Sequence, residues 1–193
     1  MALTSTHTPS ILALTRQNLP QLEGSSIEKA NKGAYVLHEE QDAAITLLGT
    51  GSEVALAVET AEVLKKKGIK ARVVSMPCME VFRSQDKDYK LSVLPDGAPI
   101  MSIEAYSVSC YFTFSSFPFL LLTLPLLQTF GWGEFSHVHC GIDTFGASAP
   151  AKAVYNKFGL TGDALAERSQ KAIDYFKNLK QNVYSPISQQ LLV

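Results

Sequence analysis

The sequence predicts an α/β fold, and this prediction depends mainly on the residues between Ala44 and Pro77. An apolar run at residues 44–48 is typical of a buried strand, and a second run at residues 71–76 ends at Pro77. A strand, a helix and a strand within about thirty residues form a βαβ unit, which implies parallel strands. The helix is indicated by two faces of opposite character. Its apolar positions are Val54, Ala57, Val58, Ala61 and Leu64, and its charged positions are Glu53, Glu59, Glu62 and Lys65.

The segment before this unit predicts only short elements. An apolar run at residues 10–14 suits a buried strand, and a loop follows it. Ser25 and Glu28 have the spacing of a capping box, in which Ser25 accepts a hydrogen bond from the backbone three residues on. They predict a brief helical turn that ends before Gly33 and leads into a strand at residues 35–37.

The second half of the chain predicts one more strand and two more helices around a loop-rich region. Residues 89–94 indicate a helical turn and residues 99–104 a strand, whereas residues 130–146 indicate a loop with one strand at most. A short helix is predicted at Ala151–Phe158 and a longer one at residues 161–179. Thr161 is the expected N-cap of the longer helix. The apolar stripe of that longer helix consists of Leu165, Ala172, Ile173, Phe176 and Leu179.

Composition narrows the class of protein. A chain of 193 residues is long enough for one domain with a sizeable core. The 17 basic and 18 acidic residues give a formal net charge of -1 and no basic face, which argues against a nucleic-acid partner. Cys78, Cys110 and Cys140 form no disulfide framework, so a reducing compartment is expected. The first residues lack the basic region and long apolar run of a signal peptide.

The turn Gly49-Thr50-Gly51-Ser52 is the loop most similar to an anion cradle. Backbone N–H groups at the start of a helix favour phosphate or carboxylate groups. However, a third glycine at dinucleotide spacing and a Gly-Lys-Ser/Thr sequence are both missing from this turn, and Glu53 would repel an anion. The favoured interpretation is a tight βα turn with Ser52 as the N-cap, without a ligand.

His137, His139 and Cys140 are the residues most similar to a metal-binding group. Alternation along a strand would place both histidines on one face, but zinc needs three or four ligands and supporting carboxylates. A structural role is therefore favoured. Ser102, Ser107 and Ser109 lie outside any G-x-S-x-G sequence, so the residues alone predict no catalytic constellation.

Several long strings carry a resemblance to a known family. They are RQNLPQLEGSSIEKANKGAYVL (residues 16–37), GTGSEVALAVETAEVLKKKGIKARVVSMP (49–77), YKLSVLPDGAPIMSIEA (89–105), FGWGEFSHVHCGIDTFGAS (130–148) and GDALAERSQKAIDYFK (162–177). In this order they resemble transketolase, and fungal transketolases in particular. The resemblance implies a mixed, mostly parallel sheet flanked by helices, as in the C-terminal domain of that family.

The resemblance also implies a function for the whole family. Transketolases transfer a two-carbon ketol unit between sugar phosphates in the pentose phosphate pathway, as cytoplasmic homodimers that use thiamine diphosphate and a divalent cation, Mg or Ca. Their catalytic and cofactor-binding motifs lie upstream of the part that this chain resembles. The resemblance therefore assigns no catalytic, cofactor-binding or metal-binding residue here, and the chain alone is expected to bind no cofactor.

The resemblance implies a division of the chain as well. Residues 1–24 correspond to a remnant of the junction with a missing pyrimidine-binding domain, and residues 25–193 to the C-terminal domain, interrupted at residues 108–128. The chain is thus expected to be a C-terminal domain fragment that is inactive alone and has a structural or assembly role.

The interrupting segment is apolar and free of charge, and three interpretations compete for it. A membrane-spanning helix fits its length, but Pro118 and Pro125 lie inside it and flanking lysine or arginine is missing. An extra core element would need a further layer to cover it. In the favoured interpretation it is a retained intron, because Val108-Ser109 can be encoded by GTNAGT and Gln128 by CAG, which fit a splice donor and acceptor.

Two other functions remain open at this point. One is a stand-alone α/β module that binds a small anion at the turn from Gly49 to Ser52. The other is a membrane-associated protein anchored by residues 106–130, although no membrane contact is expected under the favoured interpretation.

Overall fold

The fold is built on one five-stranded sheet. The computed structural model describes residues 6–106, 131–179 and 181–190, so the segment at residues 108–128 lies outside the described residues. The strands stand side by side in the order β1-β3-β2-β4-β5. Their bounds are β1 (Tyr35–His38), β2 (Ile45–Gly49), β3 (Ala71–Ser75), β4 (Ile100–Ile103) and β5 (Val138–Cys140).

The sheet is mixed and mostly parallel. β2 runs parallel to β3 on one side and to β4 on the other, and β5 continues parallel to β4. Only β1, at the edge, is antiparallel to its neighbour among these five strands. The predicted βαβ unit and the fold class implied by the resemblance are confirmed.

Helices cover both faces of this sheet. In chain order they are α1 (Ile27–Ala30), α2 (Glu53–Lys66), α3 (Met79–Arg83), α4 (Lys87–Val93), a 3₁₀ turn (Trp132–Glu134), α5 (Ala151–Phe158), α6 (Gly162–Asn178) and α7 (Pro186–Gln189).

Each face of the sheet has its own hydrophobic core. α2 and α6 pack against one face, where Leu47 and Met101 of the sheet meet Leu64 and Leu165. Residues of α3, α4, α7 and the 3₁₀ turn cover the other face and form a second core. The second core includes Leu48, Val74, Phe82, Val93, Ile100, Trp132, Phe135 and Ile187.

The prediction of a strand at residues 10–14 is wrong. These residues form no strand or helix, and the side chain of Ile11 is 97% exposed. An apolar run becomes a strand only where a neighbouring strand accepts its hydrogen bonds, and neither β1 nor β5 pairs with this segment. Tertiary pairing, which local composition does not report, decides this case.

The first helical turn is present, but its cap differs from the prediction. Ser26, not Ser25, accepts the hydrogen bond that caps α1, from the Lys29 N–H at 3.2 Å. The Ser25 hydroxyl instead accepts a hydrogen bond from the Tyr35 hydroxyl at 3.3 Å. A contact ten residues away thus selects which of two adjacent serines caps the helix.

The later elements follow their predictions closely. α5 has the predicted bounds, and Thr161 caps α6 through the Ala164 N–H. Leu179, predicted on the buried stripe of α6, is 43% exposed because the helix ends at Asn178. The sequence did not predict the short helices α3 and α7. Each is too short to show a hydrophobic periodicity.

Gly33 is the most crowded glycine on the way into the sheet. Its φ is +84°, and an added Cβ would lie 2.3 Å from the Phe82 backbone nitrogen. Its carbonyl accepts a hydrogen bond from the Cys78 N–H at 3.0 Å, so the two backbones cannot separate freely.

We expect Gly33→Ala to destabilise the domain by about 3 kcal/mol or more, since left-handed strain adds to a backbone collision. Gly68→Ala is the matched control. Gly68 has φ +76° and nothing within 4 Å of an added Cβ, so only the strain of about 1 kcal/mol should remain. Urea unfolding measures both, and equal losses would contradict the collision at Gly33.

Candidate functional site

The sheet has a topological switch point at the carboxyl ends of β2 and β4. The chain leaves β2 for β3 on one side and later returns to β4 on the other. Because β2 and β4 are parallel neighbours, the loops that follow them diverge and leave a crevice. In open α/β sheets, ligands bind in crevices of this kind. The turn predicted as a possible anion cradle lies at this crevice.

The turn from Gly49 to Ser52 leads directly into α2. Ser52 occupies the N-cap position, as predicted, but its side chain makes no capping hydrogen bond. Its hydroxyl instead donates to Glu53 Oε1 at 2.9 Å. Ser52 is therefore used to hold the glutamate that follows it.

Glu53 was predicted on the charged outer face of α2, and this prediction is wrong. The residue is only 4% exposed, whereas Glu59, Glu62 and Lys65 are exposed as predicted. Glu53 Oε1 also accepts a hydrogen bond from the Tyr155 hydroxyl of α5 at 2.5 Å. Tyr155 reaches the start of α2 from 102 residues further along the chain, so local sequence patterns do not report this contact.

Glu104 is the second carboxylate at this edge. It is the first residue after β4, in the adjacent parallel strand, and it is partly buried. Burial, together with the negative charge of Glu53, raises the pKa of Glu104 to about 7. The sequence shows a glutamate at the end of the apolar run at residues 99–104. It does not predict that the carboxyl group of this residue is partly buried.

These residues border one cavity of about 530 Å³. Its walls are residues 50–53, residues 104–106, Trp132, Tyr155, and Ala13 and Thr15 of the N-terminal segment. None of these described lining residues is a lysine, arginine or histidine. Two carboxylates without a cation would repel phosphate, so the small-anion module is not favoured.

His137 and His139 belong to two separate hydrogen-bond networks. His137 Nδ1 accepts from the Ile100 N–H at 3.0 Å, and Nε2 lies 2.8 Å from the Tyr184 carbonyl, to which it donates. His139 Nδ1 lies 2.9 Å from the Ser102 hydroxyl and 3.0 Å from that of Ser136. Both imidazoles are thus occupied in joining β5 to its surroundings.

Cys140 is the third residue of the group that was considered as a possible metal site. Its thiol is buried against the Met101 sulfur at 3.5 Å, and burial raises the pKa of the thiol. Within the described residues, no three His, Cys, Asp or Glu side chains are grouped so that they could hold a metal ion. The structural role favoured from the sequence stays a prediction.

The proposed membrane anchor, residues 106–130, lies outside the described residues except for Tyr106. In the part of the chain that the structure describes, no helix is both long and apolar enough to cross a membrane.

Comparisons with known proteins decide the family. A family model described as the transketolase-like TK C-terminal domain matches residues 33–161. This chain belongs to that family. It is 47% identical to the transketolase of Scheffersomyces stipitis over 186 residues, which are 96% of this chain and 24% of the relative. Transketolase 1 of Saccharomyces cerevisiae is 49% identical over 93% of this chain and 23% of its own length.

Solved transketolase structures have the same fold. The transketolase of Pichia stipitis in complex with sedoheptulose 7-phosphate matches with a TM-score of 0.81 and 47% identity, over 95% of this chain and 24% of that one. The transketolase of Leishmania mexicana matches with a TM-score of 0.76 and 39% identity, over 90% and 23%. The chain thus spans about a quarter of the length of the relatives that it matches.

The lowered pKa of His137 predicts that the stability of the folded domain depends on pH. Burial lowers its pKa, and protonation would place an Nδ1–H against the Ile100 N–H. A lowered native pKa means that the unfolded chain binds more protons, so this contribution is present above about pH 6.5 and is lost as the pH falls through the native pKa.

We expect His137→Asn to reduce the loss of stability between about pH 7.5 and pH 5.5, since its amide oxygen can accept from Ile100 but does not titrate. At the higher pH the variant should be less stable by about 1 kcal/mol, because the bond to Tyr184 is lost. His7→Asn, at an exposed position, is the control. The measurement is the free energy of unfolding in urea at each pH. An equal loss of this free energy between about pH 7.5 and pH 5.5 in wild type and His137→Asn would contradict the expectation.

Proposed function

We propose that this chain is the C-terminal domain part of a transketolase, an enzyme that transfers a two-carbon ketol unit between sugar phosphates. The observation that carries the proposal is identity of 47% across 96% of the chain to one quarter of a fungal transketolase. The TM-score of 0.81 supports the same correspondence for the fold. The chain's own role is then structural, in assembly with the domains that hold the reaction centre, and it is inactive alone.

We further propose the domain division that the sequence predicts. Residues 1–24 form the junction with a preceding domain and residues 25–193 the C-terminal domain. The family model supports the second part through its match to residues 33–161. The first part is supported by the absence of helix or strand from described residues 6–24, since the first element, α1, begins at Ile27.

Thiamine diphosphate and a divalent cation, Mg or Ca, belong to the proposed whole enzyme, as do its cytoplasmic location and homodimeric assembly. The described residues of this chain do not fit either group. The switch-point cavity presents Glu53 and Glu104 with no described cation, which opposes a diphosphate, and no described group of three ligands suits a metal. The cofactor is therefore assigned to the other domains.

Residues 108–128 are proposed to be a retained intron. The described residues on either side of this segment are close neighbours in the fold, since Tyr106 and Trp132 border the same cavity. The Tyr106 carbonyl also accepts a hydrogen bond from the Ile142 N–H at 3.0 Å, as if β4 and β5 continued past their ends. A short connection would join them without the segment.

A domain replacement tests the proposed function. Residues 25–193 without residues 108–128 replace the corresponding domain of a full-length fungal transketolase. We expect ketol-transfer activity well above that of the same enzyme truncated before its C-terminal domain. A chimera that folds and binds thiamine diphosphate but has no more activity than the truncated enzyme would contradict the proposal.

Deleting residues 108–128 from this chain should raise its soluble yield and its melting temperature. The segment is apolar, uncharged and rich in β-forming residues, which is the profile of an aggregation-prone stretch. Thermal unfolding and the soluble fraction after expression are the measurements. Deleting the C-terminal residues 191–193 gives a control for truncation as such. Equal yield and equal melting with and without the segment would overturn this expectation.

A further inference from the structure

The N-terminal segment forms part of the wall of the switch-point cavity. Ala13 and Thr15 border this cavity of about 530 Å³ together with Trp132 and Tyr155. In open α/β sheets a crevice at this place usually receives a ligand. Here the chain's own N-terminal segment lies at the crevice.

Within described residues 6–21, this segment is held at one position. Gln17 is partly buried, whereas every other residue of that range is exposed. The range contains no helix and no strand that would hold it through a backbone ladder. A stretch with so little buried surface opens at a low free-energy cost. Its position at the cavity therefore depends on the contacts of Gln17.

Gln17 is the outer end of a directed chain of hydrogen bonds. The Glu53 carboxylate, which is 4% exposed, accepts from the Tyr155 hydroxyl at 2.5 Å and from the Ser52 hydroxyl at 2.9 Å. Tyr155 has a single hydroxyl proton and gives it to Glu53, so its oxygen remains an acceptor. The Gln17 side chain is a further hydrogen-bond partner of that hydroxyl, and its amide N–H groups are the donors that the oxygen needs.

The inner end of this chain is fixed by the fold. Glu53 is the first residue of α2, and the Tyr155 ring packs against the first hydrophobic core. These two side chains therefore form a prepared acceptor at the cavity. The part that can move is the exposed segment on the other side of the bond to Gln17.

We propose that residues 13–17 are a strap that closes the switch-point cavity, fastened by a clasp that consists of Gln17, Tyr155 and Glu53. When the bond between Gln17 and Tyr155 breaks, the strap lifts and small solutes reach the cavity. The device needs only the residues of this chain, so it goes beyond the proposed function and does not depend on it.

Trp132 reports on the strap, because it borders the cavity, is 4% exposed and is the single tryptophan of the chain. The measurement is quenching of its fluorescence in the full chain by acrylamide, a neutral solute that carboxylates do not repel. Tyr155→Phe keeps the ring and removes the hydroxyl, so the opening equilibrium should rise about five-fold and the quenching constant about two-fold.

Tyr175→Phe is the matched control, since Tyr175 lies on α6 and is 61% exposed. We expect it to leave the quenching constant of Trp132 unchanged. An unchanged constant in Tyr155→Phe, or an equal rise in Tyr175→Phe, would overturn the proposal.

A double-mutant cycle tests whether the two side chains act through one bond. Gln17→Ala should raise the quenching constant as Tyr155→Phe does, and the double variant should show no further rise, because both changes break the same bond. Rises that add in the double variant would refute the clasp.

Limited trypsin digestion gives a second readout on Tyr155→Phe. Cleavage after Arg16, an exposed residue of the strap, should become about five-fold faster, while cleavage after Lys171 of α6 should keep its rate. Equal acceleration at the two sites would mean general unfolding and would contradict a local strap.

Discussion

The whole domain depends on the burial of β2 at the centre of the sheet. All five residues of the strand are buried, and its alternating side chains enter both cores. Ile45 and Leu47 face the helices α2 and α6, while Leu48 faces the opposite layer. A strand buried on both faces needs a covering layer on each side of the sheet, because no face is left for water. The two-layer cover of the sheet follows from this one constraint.

The same strand also determines where polar groups can meet. Its neighbours β3 and β4 lie on opposite sides, so the connections after β2 and β4 part and leave the crevice at their carboxyl ends. Ser52, Glu53 and Glu104 lie there because they are the residues that follow buried strands in sequence. Tyr155 reaches them from α5 and satisfies Glu53 by a hydrogen bond. The edge thus presents two carboxyl groups and no basic side chain among its described lining residues, which distinguishes it from a phosphate-binding loop of similar position.

The family membership accounts for the architecture of the sheet, since the transketolase relatives have the same fold. A shared fold does not by itself assign chemistry to this chain, which spans about a quarter of the length of its relatives. The histidines illustrate this point. His137 and His139 have spacing that resembles a ligand pair, yet each ring joins β5 to a neighbouring element. Their chemistry is that of hydrogen bonding inside a fold.

The sequence by itself determined the elements whose signals are local: the βαβ unit, the bounds of α5, and the Thr161 cap of α6. Periodicity and capping act within a few residues, so they can be read directly. Only the tertiary structure decided the exposure of Ile11, the choice of Ser26 over Ser25 as a cap, and the burial of Glu53. Ile11 is exposed because none of the five strands pairs with its segment. Ser25 and Glu53 each contact a tyrosine that is distant in sequence. Pairing and burial are properties of the assembled sheet, and no short stretch of sequence contains them.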